Sequence, residues 1–582
     1  MKKPVISALC GLVCFGCVGV AQPSTSWENP GPGPASTPGD RTAPVLTILE
    51  PEGPVFVEGD TLLVRGVVED ESAVAVMAGE TAVEVAADGS FEFALVGEPG
   101  AHRMRFTATD AAGNEAFAHV AAIMGQFGNA EELVSHAVTM ELGSAAIGDL
   151  SYGTSRMLEG MDLAPYVREA NPVAEGSWGE VNVRSVDYRS LDLALVPGVA
   201  RLHATGVLNA LDVGLELDSF VDLTGSVGAS RVVFDAELEI RVHGGRVEAE
   251  IVDQMTSIEG FIADIDNFPG FIEDLVSGLV QGLVERKVNE ALAAELPPAL
   301  EDAMMQIPSG HTVDIMGSAV EIVTEISAVD VTPAGILLDV AATAFPSVRP
   351  IGEGAAVTAP GPLRLTDGAA PPRSTAEVAA NISLDAINAM TFNAWAGETL
   401  RFRIDEVPFG TGNATLATLA FISPELRNLA PLDTPLSVEV DMGLPPIVTG
   451  EGTGLALQCA EVKLDFIARI PSGEVSVVSL SLGLSADLSV DLGDAMASSE
   501  ISFLVENLVL TGDLFSGPES FGQGPDLDAL LRSLARPLTE QLGALQGLQV
   551  PTVYGFGFAA QEARYIGGYV HVEGALEYTP AG

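Results

Sequence analysis

The most regular pattern of the chain lies between residues 271 and 292. Apolar pairs recur there every four residues, from Phe271-Ile272 to Leu283-Val284, with charged and amide residues between them. This spacing predicts an amphipathic helix with a wide apolar face. A four-residue step overshoots one helical turn by about 40°, so the apolar stripe winds around the helix. A strongly twisted sheet wrapped along the helix would match that winding, and Pro297-Pro298 predicts where the helix ends.

The chain after residue 128 shows one order of elements twice: a helix, a long run of β-type sequence, and a second amphipathic helix. The helices of the first copy are predicted to begin near Glu131 and Phe271, and those of the second near Ser383 and Asp526. Because the two spacings are almost equal, they predict an internal duplication. The β-type runs alternate apolar and polar residues, which predicts strands.

Two local signals refine the second copy. Ser383 is predicted as an N-cap, because its hydroxyl oxygen can accept a backbone N–H at the start of a helix. The helix that follows carries Ile387 and Met390 on one face. Pro537 lies inside the last helix and predicts a kink there.

Residues 43–124 have a different pattern, with short alternating runs separated by Gly, Asp and Pro turns. This predicts a small β-sandwich that resembles the bacterial immunoglobulin-like modules of surface proteins. Asp88-Gly89 predicts a hairpin turn. Asp70, Glu71 and Asp110 are candidates for Ca²⁺ binding, and the alternative is that these carboxylates cap turns.

Composition narrows the class of protein. The chain has 582 residues, of which 47% are hydrophobic and 18% charged, so large folded cores are expected rather than disorder. The net charge of −53 repels phosphate backbones, which excludes nucleic acid as a partner. The same charge repels bare anionic membrane surfaces.

Residues 1–21 are predicted to be an export signal, with Lys2 and Lys3 before an apolar run. Two processing routes remain open. In one, Cys17 after Gly16 is a lipobox cysteine that receives a lipid anchor. In the other, cleavage follows the small residues ending at Ala21. Residues 22–42 are rich in Pro, Gly, Ser and Thr and predict a flexible tether, which an anchored protein needs.

Several stretches of residues 128–582 resemble the two-barrel lipid-binding proteins, a family that includes bactericidal/permeability-increasing protein, lipopolysaccharide-binding protein and the cholesteryl ester and phospholipid transfer proteins. The resemblance depends on the order and spacing of the elements and on four local stretches: Leu283 to Ile307, Asn381 to Gly397, Leu444 to Leu455, and Leu548 to Tyr578. The ordered set is more specific than any one stretch.

The resemblance implies an α+β fold of two tandem elongated barrels, each a highly twisted antiparallel sheet wrapped around long helices, joined by a central sheet. With the all-β immunoglobulin-like sandwich in front, the expected domains are residues 43–124, an N-terminal barrel at 128–318 and a C-terminal barrel at 319–582. Apolar pockets on the concave faces are expected to hold acyl chains.

The chain departs from that family in two ways. No cysteine lies between residues 18 and 458, so the family's usual disulfide in the first barrel is absent. The basic tip of the anti-endotoxin members is also missing, since residues 180–250 hold 6 arginines against 12 acids. Binding through acyl-chain burial remains open, at about 0.8 kcal/mol per methylene. Cys459 is expected to be a small buried residue.

The sequence gives little sign of catalysis. The seven histidines are not spaced as metal ligands, and no nucleophile elbow or phosphate loop occurs. A weak match to a dinucleotide turn at residues 555–560 is followed by β-type sequence rather than by a helix. We therefore expect no enzyme activity, no cofactor and no metal.

The expected function is binding, and possibly transfer, of phospholipid or another acyl lipid in the bacterial cell envelope, with a membrane anchor at Cys17. The alternative is a cell-surface adhesion protein in which the immunoglobulin-like domain binds a partner and the barrels are scaffold. One pocket is predicted per barrel, the first between helices at 133–142 and 271–284. The predicted lining residues are Leu133, Ala137, Phe271, Leu275, Leu279 and Leu283 in the first barrel, and Ile387, Met390, Leu530, Leu534 and Leu538 in the second.

Overall fold

The structure is a computed structural model. It describes residues 41–218, 223–264, 270–304, 310–315, 318–346, 359–366, 368–398, 400–405, 408–409, 412–422, 424–452, 454–491, 500–516, 534, 548–549 and 556–578. This part of the chain is mostly β, in curled sheets, with a few helices.

Residues 45–127 form a two-sheet unit, the N-terminal module. Strands β1, β3 and β6 make one sheet; β8, β7, β4 and β5 make the other, with β2 parallel to β8. The predicted hairpin turn is confirmed, since Gly89 has a φ of 82° and Asp88 accepts the N–H of Ser90. The strands are β1 Val45–Glu50, β2 Val55–Glu58, β3 Thr61–Glu69, β4 Ala75–Ala78, β5 Thr81–Val83, β6 Ser90–Val96, β7 Gly100–Thr109 and β8 Glu115–Phe127.

The next elements run from β9 to β18. They are β9 Val134–Gly143, α1 Ser144–Leu158, α2 Ala164–Arg168, β10 Ala174–Gly176, β11 Gly179–Asp187, β12 Ser190–Pro197, β13 Leu202–Asp218, β14 Leu223–His243, β15 Arg246–Asp264, α3 Gly270–Met304, β16 Gly310–Ile315, β17 Ser318–Thr332 and β18 Gly335–Pro346. Strands β10, β11, β13, β14 and β15 form the first sheet, and β12 also pairs with β13. Bulges in β11 and in β15 strengthen the twist of this sheet, because a bulge bends its strand.

The last part of the chain contains the second sheet. Its elements are β19 Leu363–Arg364, β20 Val378–Ser383, α4 Leu384–Ala396, β21 Phe402–Ile404, β22 Pro408–Phe409, β23 Gly412–Asn413, α5 Leu416–Ile422, a 3₁₀ helix at Pro424–Asn428, β24 Leu436–Met442, β25 Ile447–Glu451, β26 Gly454–Ile470, β27 Gly473–Asp491, β28 Glu500–Ser516, β29 Leu548–Gln549, β30 Phe556–Ile566 and β31 Tyr569–Tyr578. The second sheet has the order β21, β24, β26, β27, β28, β29, with β25 beside β26.

A seven-stranded central sheet joins elements from both halves, in the order β16, β17, β18, β9, β20, β31, β30. Strands β9 and β20 pair directly at its centre, with Val138 opposite Ile382. Each of these two strands runs straight into a helix, β9 into α1 and β20 into α4. The N-cap prediction is confirmed, because the Ser383 hydroxyl accepts the N–H of Asp385. One apolar core extends from the first sheet through the central sheet into the second sheet.

The helix predicted near Glu131 is wrong, because residues 134–143 form strand β9. This strand has hydrogen-bonded neighbours on both sides, β18 and β20, and backbone pairing in a sheet centre overrides a local helical pattern. The helix of this region, α1, begins only at Ser144. The near-equal spacing of the predicted helices is therefore not present in the structure, and the predicted duplication loses this support.

The predicted end of α3 is also wrong, because the helix continues through Pro297 and Pro298 to Met304. A proline inside a helix typically costs about 3 kcal/mol through its missing N–H and its clash with the preceding turn. Leu300 and Met304, beyond the prolines, are buried in the core, and their packing offsets that cost. The last helix predicted for the second copy and its Pro537 lie outside the described residues, apart from the helical and buried Leu534.

Candidate functional site

Helix α3 lies along the edge strand β15 of the first sheet, and the space between them is called here the helix groove. Two hydrogen bonds fix the helix to the strand. The Thr256 hydroxyl donates to Asn289 at 2.9 Å, and the Glu301 carboxylate accepts the N–H of Ala249 at 2.8 Å. Ala249 reaches Glu301, and the later strand residue Thr256 reaches the earlier helix residue Asn289. Helix α3 therefore runs antiparallel to β15.

Burial decreases along the groove from one end to the other. Val247 is fully buried, whereas Ile258 and Phe261 are only partly buried. Thr256 faces the helix, and so does Ile258, two residues later on the strand. Gly260 has a φ of 63° and interrupts the alternation, so that Phe261 packs against the core while Ile262, 67% exposed, faces away from it. These residues lie beyond Thr256, in the direction of the start of α3.

Leu279 is at this same end of the groove. It lies about 15 Å before Asn289 along the helix axis, toward the start of α3, and is 47% exposed. We call Ile258, Phe261 and Leu279 the open end. Partly exposed apolar side chains at the end of a groove are typical of ligand-binding surfaces.

The structure separates the residues predicted to line the first pocket. Leu283 is buried in the core, while Leu279, one turn earlier, is exposed. The side chains of Phe271 and Leu275 lie outside the described residues. Leu133 precedes β9 and is partly buried, and Ala137 is buried in a small cluster with Ala386 and Ala389 of α4. Leu133 and Ala137 are therefore not on a helix facing α3.

In the second half, Ile387 and Leu534 are buried in the common core, and Met390 packs against it. Leu530 and Leu538 lie outside the described residues, as does Cys17. The expected burial of Cys459 is confirmed: it is a free, buried thiol, and desolvation raises its pKa to about 12. Sequence reasoning missed Ile258 and Phe261. A run of apolar residues at the end of an otherwise charged strand was the available signal.

A polar site, separate from the helix groove, lies where the N-terminal module meets the second sheet. Arg103 of β7 contacts Glu461 of β26 at 2.8 Å, and the two side chains are only 12% and 3% exposed. Arg103 also donates to the carbonyls of Ala460 and Ser481. His119 of β8 contacts Glu461 at 3.3 Å. We call Arg103, His119, Glu461 and Ser481 the interface network.

Burial on its own would raise the pKa of Glu461. The hydrogen bonds and charges of its neighbours, His119 foremost, outweigh burial and hold the pKa below its ordinary value. Sequence reasoning missed this network, because its members are far apart in the chain. A lone acid within the apolar run 455–464 was the one local signal.

Ser481, His119 and Glu461 resemble the residue types of a hydrolytic triad, but their geometry differs. The Ser481 hydroxyl and the Glu461 carboxylate both approach Nε2 of His119, at 2.8 and 3.3 Å. In a triad the acid holds the other ring nitrogen, so that Nε2 is free to take the serine proton. The Ser481 hydroxyl also donates to Glu461 and is fully buried. This arrangement is suited to holding two parts of the chain together.

Apolar contacts extend the same interface. Phe56 of the module stacks edge-on against Phe127 and Phe392, with ring centroids 5.6 and 6.3 Å apart, and also contacts Trp395 of α4. Ile123 of β8 and Ile447 of β25 are buried together. The module is thus packed against the second sheet and α4 through both polar and apolar groups.

Two of the three carboxylates considered for Ca²⁺, those of Asp70 and Asp110, cap turns. Asp110 accepts the N–H groups of Ala112 and Asn114, and Asp70 accepts the N–H of Ser72. Within the described residues, no group of His, Cys, Asp and Glu side chains is arranged to hold a metal ion. In the same part of the chain, no helix has the length and apolar character needed to cross a membrane. The dinucleotide-turn match falls largely on strand β30.

Comparison with known proteins finds two separate similarities. A family model described as domain B of glucodextranase matches residues 44–126, the N-terminal module. BPI fold-containing family B member 2 of Mus musculus is 29% identical over 168 residues, which is 28% of this chain. The match spans 35% of the length of that relative.

Two solved structures align over most of the chain at low similarity. The crystal structure of lipopolysaccharide binding protein aligns with 76% of this chain and all of that one, at 16% identity and a TM-score of 0.40. P47 of Clostridium botulinum E1 aligns with 77% of this chain and all of that one, at 7% identity and a TM-score of 0.24.

Proposed function

We propose that this protein binds acyl lipid in two tandem barrels, formed by the first and second sheets with their helices, and that it is a binding protein rather than an enzyme. The observation that carries the proposal is the open end of the helix groove. There, Leu279 is 47% exposed and Ile258 and Phe261 are only partly buried, beside an apolar core that continues into the groove. The partial sequence similarity to a BPI fold-containing protein supports the same class.

The charge of the chain decides how a lipid would be held. A net charge of −53 offers no attraction to phosphate groups. Affinity must therefore come from the acyl chain, at about 0.8 kcal/mol for each methylene removed from water. A chain of ten methylenes would supply about 8 kcal/mol before the costs of ordering.

The test is to recover lipid from purified protein and quantify it by mass spectrometry. We expect Phe261→Glu and Leu279→Glu each to lower the amount of bound acyl lipid several-fold, because a carboxylate at the open end opposes chain entry. Val199→Glu is the matched control, since Val199 is 82% exposed in the turn between β12 and β13. If extraction yields no acyl lipid from the unaltered protein, the proposal is wrong.

We also propose that the protein is anchored in the bacterial cell envelope through a lipid on Cys17. The export signal and the tether at residues 22–42 support this location. Cys17→Ser should move the protein from the membrane fraction to the soluble fraction. A mature protein that begins at Gln22 without lipid would overturn the anchor and leave lipid binding untouched.

A second candidate function is adhesion through the N-terminal module, which we propose has an immunoglobulin-like fold. The face of its β1-β3-β6 sheet opposite the module core exposes Val45, Leu49, Leu63 and Val96, each between 39% and 67%. Such a face suits a protein partner. Leu63→Glu should then abolish attachment of the protein to its target surface without changing the recovered lipid. Leu279→Glu should lower the recovered lipid and leave attachment unchanged.

A further inference from the structure

The face of the central sheet opposite its apolar side carries a buried polar row. Thr139 of β9, Asn381 of β20 and His571 of β31 lie directly opposite one another on neighbouring strands, so their side chains share one face. Each is at most 1% exposed. The Asn381 amide donates to the Thr139 hydroxyl at 2.9 Å, and its oxygen lies 2.6 Å from Nδ1 of His571. The row therefore joins β9 of the first half to β20 and β31 of the second half.

Residues 372–374, called here the cover segment, lie over this row. The Pro372 carbonyl accepts a hydrogen bond from the Asn381 amide at 3.1 Å. The Ser374 hydroxyl donates to the carboxylate of Glu573 on β31 at 2.6 Å. The cover segment is thus fastened to the sheet through Asn381 and Glu573, the same two residues that flank the imidazole of the row.

Two hydrogen-bond acceptors face the ring of His571. The carboxylate of Glu573 lies 3.0 Å from Nε2. The Asn381 oxygen lies 2.6 Å from Nδ1, and the amide cannot be turned around without loss, because its nitrogen donates to the Pro372 carbonyl, which only accepts. Both ring nitrogens must therefore carry hydrogen, and His571 is an imidazolium in this arrangement.

The charge of this imidazolium is balanced by Glu573. Arg564, which lies opposite His571 on β30, contacts Glu573 at 3.2 Å and Glu562 at 3.5 Å. Hydrogen bonds from Ser374 and from His571 outweigh burial and hold the pKa of Glu573 below its ordinary value. This carboxylate is therefore ionised at neutral pH and stabilises a positive charge on the ring.

The other titratable groups of this face have contacts of their own. They are Glu141 of β9, which accepts the N–H of Ser374; Asp339 of β18, which contacts His136 at 2.6 Å; Asp385 of α4, which accepts two backbone N–H groups; and Tyr569 of β31, which donates to the carbonyl of Ala369. His136 is the other histidine among these groups, so its contribution must be tested separately.

We propose that His571 is a pH-sensitive switch: with both ring protons it fastens the cover segment and the joint between the two halves, and the loss of one proton as the pH rises releases the cover segment. If Nδ1 loses its proton, the Asn381 amide must turn to offer a donor and gives up the Pro372 carbonyl. If Nε2 loses its proton, its lone pair faces the carboxylate of Glu573, which also holds Ser374. Since the protonated ring makes these contacts, the stability that they add is present at low pH and is lost as the pH rises. The switch concerns the joint between the halves and stands apart from the proposed lipid binding.

Trypsin cleavage of the full chain measures this release, because the cover segment contains Arg373, whose side chain is 54% exposed and contacts only the exposed Asp330, at 3.8 Å, among the described residues. Cleavage after Arg373 is followed by mass spectrometry, and its rate is divided at each pH by that of a peptide with the same local sequence. Between about pH 6 and pH 8.5, histidine changes its charge while carboxylates and arginines keep theirs. The corrected rate should rise several-fold over this range in the unaltered protein, and His571→Gln should make it independent of pH.

Two control variants remove other histidines that contact a carboxylate. His203→Gln removes an exposed ring 3.8 Å from Asp235, and His136→Gln removes the other ring beside the central sheet; both should keep the rise. Glu573→Gln keeps the ring of His571 but removes the charge that stabilises its second proton, so the rise should move to lower pH; this variant serves if His571→Gln disturbs folding. A corrected rate that does not change with pH in the unaltered protein would overturn the switch. So would a rise that persists in His571→Gln, a rise that His136→Gln abolishes, or a rise that stays at the same pH in Glu573→Gln.

Discussion

The interface network and the helix groove both lie between a sheet and the element packed on it, yet they differ in how completely their groups are paired. At the interface network, Glu461 is 3% exposed and contacts Arg103, His119 and Ser481. In the helix groove, the oxygen of Gln254 is buried without a partner among the described residues, and Leu279 is 47% exposed. The interface network pairs its own polar groups, whereas the helix groove leaves some groups without a contact. Complete pairing indicates a structural contact, and the incomplete pairing of the groove is what supports the proposed binding function.

The largest effect is expected from breaking the interface network. Arg103→Ala should lower the free energy of unfolding by about 4 kcal/mol, because Glu461 would stay buried without its permanently charged partner. Urea unfolding followed by circular dichroism measures the change.

The matched control for this variant is Arg65→Ala. Arg65 also contacts two carboxylates, those of Glu50 and Glu92, but all three side chains are at least half exposed. Exposed ion pairs add little to stability, so this variant should be close to the unaltered protein. Equal losses for the two arginines would show that the interface network is no more structural than a surface contact.

The next effect sharpens the comparison within α3. Leu283→Ala should cost about 3 kcal/mol in the free energy of unfolding, because Leu283 is buried and its truncation leaves a cavity in the core. Leu279→Ala, one turn earlier and 47% exposed, should change stability by less than about 1 kcal/mol. Thermal or urea unfolding of both variants gives the comparison. If Leu279→Ala destabilises as much as Leu283→Ala, the open end is part of the core.

The smallest effect concerns pH. Because its pKa in the folded protein lies below the ordinary value of 4.5, Glu461 adds stability above that value and loses it as the pH falls through the folded pKa. The stability difference between the unaltered protein and Glu461→Gln should therefore shrink as the pH is lowered below 4.5. Unfolding measured at several acidic pH values tests this, and a difference that grows on acidification would contradict it.

The sequence predicted those features that depend on nearby residues. The helix predicted from the apolar spacing of α3, the Ser383 cap and the Asp88-Gly89 turn are all set within a few positions, and all three are confirmed. The local pattern predicts a helix where strand β9 lies, because the formation of this strand depends on two partner strands that lie far away in the chain. The prolines of α3 were expected to end it, because the burial of Leu300 beyond them is invisible in a local pattern.

The candidate site shows the same division. Apolar spacing identified the stripe to which Leu279 and Leu283 belong, but it did not show that one is exposed and the other buried. That difference depends on where β15 ends relative to α3. A bulge at Val252 of β15 and Pro297 of α3 line the same cavity, of about 550 Å³. No sequence pattern places these two irregularities opposite each other.

Strand β19 has a consequence for how the protein is made. Leu363 and Arg364 pair with Phe127 and Gln126. The edge of the module sheet at β8 is therefore completed by residues that follow the whole first sheet in the chain. A chain that emerges from its N-terminus first must hold β8 with an unpaired edge at these residues until residue 364 follows, and exposed strand edges invite pairing with other chains. Closing such a distant contact is slow. The edge of the module sheet is therefore expected to be completed late and to need protection from other chains during synthesis.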